Sequence, residues 1–100
     1  MPFEVNEVRE DGRVVVAVSG DIDLATAGTL RDALLRAVDS RRVWVDLTEV
    51  EFMDSTGLNA LVIAHHATEG QLVVVCPEGP PRRALEVSGL HQVLNVVTSR

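Results

Sequence analysis

Three strand-like segments, each followed by a stretch with helical periodicity, constrain the fold of this chain most. The segments are Arg13–Ser19, Val43–Leu47 and Leu72–Cys76, and each is nearly continuous in apolar residues. Consecutive apolar residues, in place of an alternating pattern, are typical of strands that helices cover. Strands that alternate with helices pair in parallel through right-handed crossovers. The sequence therefore predicts an α/β fold with a mixed, mostly parallel sheet.

The remaining elements follow from turn and cap signals. Asp11-Gly12 is a strong two-residue hairpin signal, so the first two strands should be antiparallel neighbours. Asp23 is a plausible N-cap for the first helix, and Gly70 and Gly89 are expected to end the second and third. The predicted order is β-β-α-β-α-β-α-β with about five strands; the two outer strands are Phe3–Val8 and Val93–Val97, and the helices run over Leu24–Val38, from Ser55 to before Gly70, and over Pro80–Val87.

Size and charge narrow the classes of function. A length of one hundred residues favours a single domain that spans residues 1–100. A hydrophobic content of 46% is enough for one core. A formal charge of -6 argues against nucleic acid and anionic membranes as partners. The single cysteine, Cys76, cannot form an internal disulfide, and no apolar run approaches the roughly 20 residues that span a bilayer. We therefore expect a soluble, cytoplasmic protein.

The polar loops are expected to meet at one end of the sheet. In successive parallel β-α units, the loops that leave the carboxyl ends of the strands lie on the same side. Gly20–Asp23, Glu49–Ser55 and Pro77–Pro80 should therefore share one end of the molecule. Within the second loop, Val50, Phe52 and Met53 either cover the core or, where they reach the surface, anchor a protein interface.

Ser55 follows Asp54 at the start of a predicted helix, and three roles are open to it. It can be a structural N-cap, which contributes roughly 1 kcal/mol. It can accept a phosphate, because a helix start favours negative charge. It can also be a catalytic nucleophile, but His65 and His66 lie about 15 Å further along the same helix, and nothing in the sequence places His91 nearby. The nucleophile is therefore the least favoured role.

The motifs together resemble a known family. Gly20–Ala27, then Val45-Asp46-Leu47, then Phe52–Leu58 are similar to the STAS domain, and more closely to the bacterial anti-sigma factor antagonists. The resemblance covers essentially the whole chain. It implies a STAS-type fold and a protein, not itself an enzyme, that binds an anti-sigma factor serine kinase and so releases the sigma factor. It further implies that the kinase phosphorylates Ser55, which ends the complex, and that a serine phosphatase restores binding.

The resemblance also implies a set of contact residues. Beside Ser55, the residues expected to touch the partner are Asp21, Asp23, Met53, Asp54, Thr56, Gly57 and Leu58. ATP and Mg²⁺ belong to the kinase, so the chain is expected to need no cofactor or metal of its own. Gly57 is expected to allow close packing of the helix.

Two departures and one alternative remain. Asn59 stands where many members of the family carry glycine, and Thr56 offers a second hydroxyl beside the expected acceptor. The alternative function is a non-phosphorylated STAS scaffold, or a small-ligand-binding module, within a larger signalling assembly.

Overall fold

A computed structural model describes residues 2–39 and 42–100, which form a five-stranded sheet with three α-helices. The elements in chain order are β1 (Glu4–Glu10), β2 (Arg13–Ile22), α1 (Ala27–Ala37), β3 (Val43–Met53), α2 (Ser55–Ala67), β4 (Val73–Val75), α3 (Pro80–Val87), a short 3-10 helix (Leu90–Gln92) and β5 (Asn95–Val97). The predicted order of strands and α-helices is confirmed.

The strands lie side by side in their chain order, β1-β2-β3-β4-β5. β1 and β2 are antiparallel, and each later neighbour pairs in parallel. The hairpin turn between β1 and β2 has positive φ at both Asp11 (48°) and Gly12 (75°), as a type I′ turn requires. The mixed, mostly parallel sheet is therefore confirmed together with its predicted hairpin.

One core joins the sheet to all three α-helices. Alternate side chains of β2 and β3, among them Val16 and Val45, are buried with Leu34 of α1, Leu61 of α2 and Leu85 of α3. α1 and α2 pack against each other, and α3 packs against β3. No helix within the described ranges is long and apolar enough to cross a membrane.

Both central strands run further than their sequence predicts. β2 continues to Ile22 and β3 continues to Met53, so two segments that were expected to be loops are largely strand. The register shifts twice, between Ala17 and Ser19 and between Gly20 and Asp21, and at each shift β3 carries one extra residue, as in a β-bulge. The two strands support each other's extension through these pairings. β4 and β5 are shorter than predicted. Val93 and Leu94, which were expected to begin the last strand, lie between the 3-10 helix and β5.

Gly20 has a conformational reason to be glycine. Its φ is +89°, and a Cβ placed on it would lie 2.8 Å from the Cα of Phe3 and 2.9 Å from the carbonyl oxygen of Pro2. Pro2 and Phe3 therefore lie directly against Gly20, beside the end of β2.

The start of β2 and the end of the chain meet on charged side chains. The Arg13 guanidinium stacks over the Trp44 ring, 4.1 Å from its centroid, and donates to Glu10. Arg100 Nε donates to Asp46 Oδ2 at 2.8 Å, and Arg100 Nη1 donates to Glu10 Oε1 at 3.1 Å. Asp46 is only 8% exposed, so Arg100 supplies the counter-charge for a buried carboxylate.

Candidate functional site

The carboxyl ends of β2 and β3 form one continuous structure. Asp21 lies opposite Phe52, Ile22 lies opposite Met53, and the Asp54 N–H donates to the Ile22 carbonyl at 3.1 Å. The first pair is exposed and the second pair is buried. The two motif segments that the sequence predicted to share one end of the sheet are therefore neighbours.

Asp54 is the N-cap of α2. Its backbone is extended (φ -98°, ψ -170°), and its Oδ1 accepts from the N–H groups of Thr56 at 2.9 Å and Gly57 at 3.4 Å. The Thr56 hydroxyl donates to the same oxygen. These bonds, the one from the Thr56 hydroxyl above all, hold the pKa of the Asp54 carboxyl below its ordinary value. Asp54 is therefore a charged cap at neutral pH.

Ser55 is the first residue of α2 and is exposed to solvent. Asp54 is the N-cap, so the structural role of N-cap considered for Ser55 is wrong and belongs to the residue before it. Within the described ranges, the Ser55 hydroxyl has no hydrogen-bond partner, whereas the Thr56 hydroxyl is engaged by Asp54. Of these two neighbouring hydroxyls, the one at Ser55 is presented to solvent without a competing bond.

The segment before α1 is a tight turn built by Asp23 and Thr26. Asp23 Oδ1 accepts from the Ala25 N–H at 3.0 Å, and Thr26 Oγ1 accepts from the Asp23 N–H at 2.9 Å and donates to the Asp21 carbonyl at 2.9 Å. The helix begins at Ala27 with Thr26 as its N-cap, so the prediction that Asp23 caps the helix is wrong. Asp23 instead helps to hold the turn between Asp21 and Thr26.

Three of the expected contact residues serve the interior. Met53 is 4% exposed, Gly57 is buried, and the half-buried Leu58 packs against the core. A Cβ on Gly57 would lie 2.6 Å from Met53 Cγ and 2.7 Å from Ile22 Cγ2, so close packing of α2 requires the glycine. Because Met53 and Gly57 present almost no surface, the expectation that they contact the partner is corrected. They instead pack α2 against the ends of β2 and β3. Asp21, Asp23, Asp54 and Thr56 retain accessible surface.

Two apolar side chains project at the same end of the molecule. Phe52 is 49% exposed and lies beside Asp21, and Leu24 is 83% exposed in the turn before α1. The sequence named Phe52 as a conditional anchor, but it placed Leu24 inside a helix. The signal for Leu24 is the Asp23–Thr26 pair, which marks a turn before a helix rather than its first residue.

A groove of about 480 Å³ runs between the starts of α1 and α2. Leu24, Gly28 and Arg31 line one side, and Ser55, Thr56 and Asn59 line the other. Ser55 therefore lies at a concave surface, and Asn59 occupies a groove-lining position.

Other reactive groups lie apart from Ser55. The described lining of the groove contains no histidine, and His65 and His66 come near the end of α2. Cys76 is 1% exposed, and burial raises the pKa of its thiol to about 11, so it is a buried core residue and not a reactive thiolate. Within the described ranges no group of three or more His, Cys, Asp or Glu side chains is placed to hold a metal ion.

Comparisons with known proteins agree with this architecture. The family model described as the STAS domain matches residues 4–100. An anti-sigma-B factor antagonist of Listeria monocytogenes is 31% identical over 99 residues, which cover 94% of this chain and 86% of that protein. Its counterpart in Staphylococcus aureus is 28% identical over 101 residues, covering 96% and 94%. The crystal structure of an anti-sigma factor antagonist from Mycobacterium paratuberculosis superposes with a TM-score of 0.90 at 29% identity, covering 98% of this chain and 87% of that one.

Proposed function

The chain belongs to the STAS domain family, and we propose that within it the protein is an anti-sigma factor antagonist controlled by phosphorylation on Ser55. It binds an anti-sigma factor that is also a serine kinase, and the sigma factor is thereby released. The proposal is supported by relatives named as anti-sigma-B factor antagonists, which align with this chain over most of their length. It implies a cytoplasmic location, because sigma factors and ATP are found there.

The observation that carries the proposal is the state of the Ser55 hydroxyl. It is exposed at the start of α2 and is free of side-chain bonds within the described ranges, while Asp54 holds the neighbouring Thr56 hydroxyl. A kinase has to reach the oxygen and place it in line with the γ-phosphate, which a bonded hydroxyl resists. Ser55 is therefore preferred to Thr56 as the acceptor.

The surroundings of Ser55 suit a protein partner. Asp21, Asp23 and Asp54 supply negative charge, and Phe52 and Leu24 supply exposed apolar surface. Buried aromatic anchors carry much of the energy of protein interfaces, and complementary charge adds specificity and speed of association. We infer a partner surface with a basic rim and an apolar pocket.

Phosphorylation then acts on the interface. The Ser55 oxygen attacks the γ-phosphorus of ATP on the kinase, the bond to the bridging oxygen of ADP breaks, and a base on the kinase takes the hydroxyl proton. The chain is a substrate in this step, and the ATP and Mg²⁺ belong to the kinase. The new phosphate brings about -1.5 to -2 charges next to three carboxylates. A docked partner has to desolvate that charge, so the complex separates until a serine phosphatase hydrolyses the ester.

The direct test incubates the protein with its candidate kinase and Mg-ATP, and maps the phosphate by mass spectrometry. We expect one phosphate, on Ser55, and none in Ser55→Ala. Thr56→Val is the matched control, and it should still be modified. Phosphate on Thr56, or full modification of Ser55→Ala, would overturn the assignment; no modification and no binding to the kinase would favour the non-switching scaffold or small-ligand module.

A second measurement separates binding from phosphorylation. Ser55→Glu should lower the affinity for the kinase, measured without ATP by calorimetric titration, by about tenfold or more, because the substitution places charge in the interface. Its melting temperature should remain near that of the parent, since position 55 is exposed. Equal affinity of Ser55→Glu and Ser55→Ala would contradict the interface mechanism.

A further inference from the structure

The groove beside Ser55 contains one basic side chain. Of its described lining residues, Arg31 alone is charged. Its guanidinium bonds to Asp32 Oδ1 at 3.2 and 3.3 Å, and both side chains are about half exposed. An exposed pair between adjacent residues is weak, so Arg31 is available to a stronger anion.

Arg31 is directed toward the end of the molecule that carries Ser55. α1 and α2 follow β2 and β3, which are parallel neighbours, so both helices start at the same end of the sheet. Arg31 lies four residues after Ala27, about 6 Å along the helix axis. Its terminal nitrogen turns back toward the helix start, because it is the nearest atom, at 3.8 Å, to the Cβ position of Gly28. The absence of a side chain on Gly28 leaves that path open.

Three carboxylates lie at the same end of the molecule as Ser55. Asp54 precedes Ser55, and Asp21 and Asp23 lie at the end of β2 and in the turn beside it. Repulsion from these groups favours the position of the phosphate that is furthest from them and closest to a cation. The groove offers that position, since a guanidinium binds phosphate through two parallel hydrogen bonds.

We propose that Arg31 leaves Asp32 and binds the phosphate on Ser55 within the groove, which forms an ion pair within the chain. The inference rests on the proposed function only in taking Ser55 as the acceptor. In the phosphorylated form this ion pair occupies the groove between α1 and α2. The ion pair has to break before a phosphatase reaches the phosphate ester.

The test needs no kinase. Phosphoserine is incorporated at position 55 during translation, and the phosphate is titrated by ³¹P NMR in the parent and in Arg31→Gln. We expect the second pKa of the phosphate to be lower in the parent by about half a unit or more, because the guanidinium favours the dianion. Arg31→Lys should retain part of the difference. Arg36→Gln, on an exposed position of the same helix outside the groove lining, should titrate like the parent.

A second readout follows Arg31 itself. The Nε–Hε signal of Arg31 in ¹⁵N-labelled protein should shift when position 55 carries phosphoserine, and the Arg36 signal should not. Equal phosphate pKa values in the parent and Arg31→Gln, or an unchanged Arg31 signal, would overturn the proposal. A kinase that fails to modify Ser55 leaves both readouts intact, so the two proposals fail separately.

Discussion

At the scale of single residues, Asp54 decides what Ser55 and Thr56 can do. Its carboxylate accepts from the N–H and the hydroxyl of Thr56, which anchors the first turn of α2. The same bonds leave the Ser55 hydroxyl outside the cap. One carboxylate therefore both starts the helix and separates a structural hydroxyl from an available one.

This role predicts a pH-dependent stability. Asp54→Ala should lower the melting temperature at pH 7, because the first turn of α2 loses its acceptor. The folded-state pKa of Asp54 is lowered, so its stabilising contribution is fully present above its ordinary value near 3.8 and is lost as pH falls through the folded value. Thermal unfolding of parent and variant from pH 7 downward measures this. A difference in melting temperature that stays constant to pH 2 would refute the electrostatic part.

The sequence singles out Ser55 as the expected acceptor, which stays a prediction, but it does not identify the residue that caps α2. Asp54, Ser55 and Thr56 all have side chains that cap helices, so composition alone cannot choose among them. The choice depends on where the backbone leaves the extended conformation, and that is set by the pairing of β3 with β2. Asp54 is still extended, and Ser55 is already helical.

At the scale of elements, the contact between α2 and the strand ends depends on Gly57. Its missing side chain makes room for Met53 and Ile22, the buried pair that joins β2 to β3. Two opposing effects act at this position. Alanine favours a helix by up to about 1 kcal/mol over glycine, whereas overpacking a core costs about 1–3 kcal/mol.

We expect overpacking to prevail at Gly57. Gly57→Ala should be destabilised by about 1 kcal/mol, because Ile22 is buried and branched while only Met53 can adjust. Gly28→Ala is the matched control in α1, since a Cβ there meets only Arg31 at an ordinary 3.8 Å. It should gain up to about 1 kcal/mol. Urea unfolding of both variants decides the matter, and a more stable Gly57→Ala would show that the tight contact relaxes freely.

The lengths of the elements were predicted least well, and the reason is pairing. Gly20 and Asp21 are poor strand formers, so a local reading ends β2 before them. In the folded chain β3 lies alongside and its bulges adjust the register, so both strands continue. α3 was predicted correctly because its signals are local: Pro80 at its start and Gly89 after its end.

At the scale of the whole molecule, Arg100 links distant parts of the chain. It bonds to Asp46 in β3 and to Glu10 at the end of β1. Residues 46 and 100 are 54 positions apart, and no periodicity or turn signal relates them. The order of the elements along the chain and the directions of the strands could be predicted from local patterns, whereas this pairing depends on the completed sheet.

Removing this link should lower global stability. Arg100→Ala is expected to lose about 1 kcal/mol, because Asp46 is buried and, among the described residues, keeps only its bonds from Thr48. The loss is no larger because the partly exposed guanidinium is screened by solvent. The loss should be smaller in 1 M salt. Arg83→Ala, an exposed arginine of α3, is the control and should change stability little. Denaturant unfolding at low and high salt measures both, and an Arg100→Ala curve identical to the parent would contradict the prediction.

The close passage of Pro2 and Phe3 over Gly20 has a practical consequence for handling the protein. A tag or fusion joined before Pro2 is expected to emerge beside Asp21, at the end proposed to face the partner, and to obstruct the proposed docking. Arg100 is bound near Glu10, at the far end of the β1–β2 hairpin from Phe3. Immobilisation through the carboxyl-terminal side therefore leaves Ser55 facing solution, and binding experiments are best built that way round.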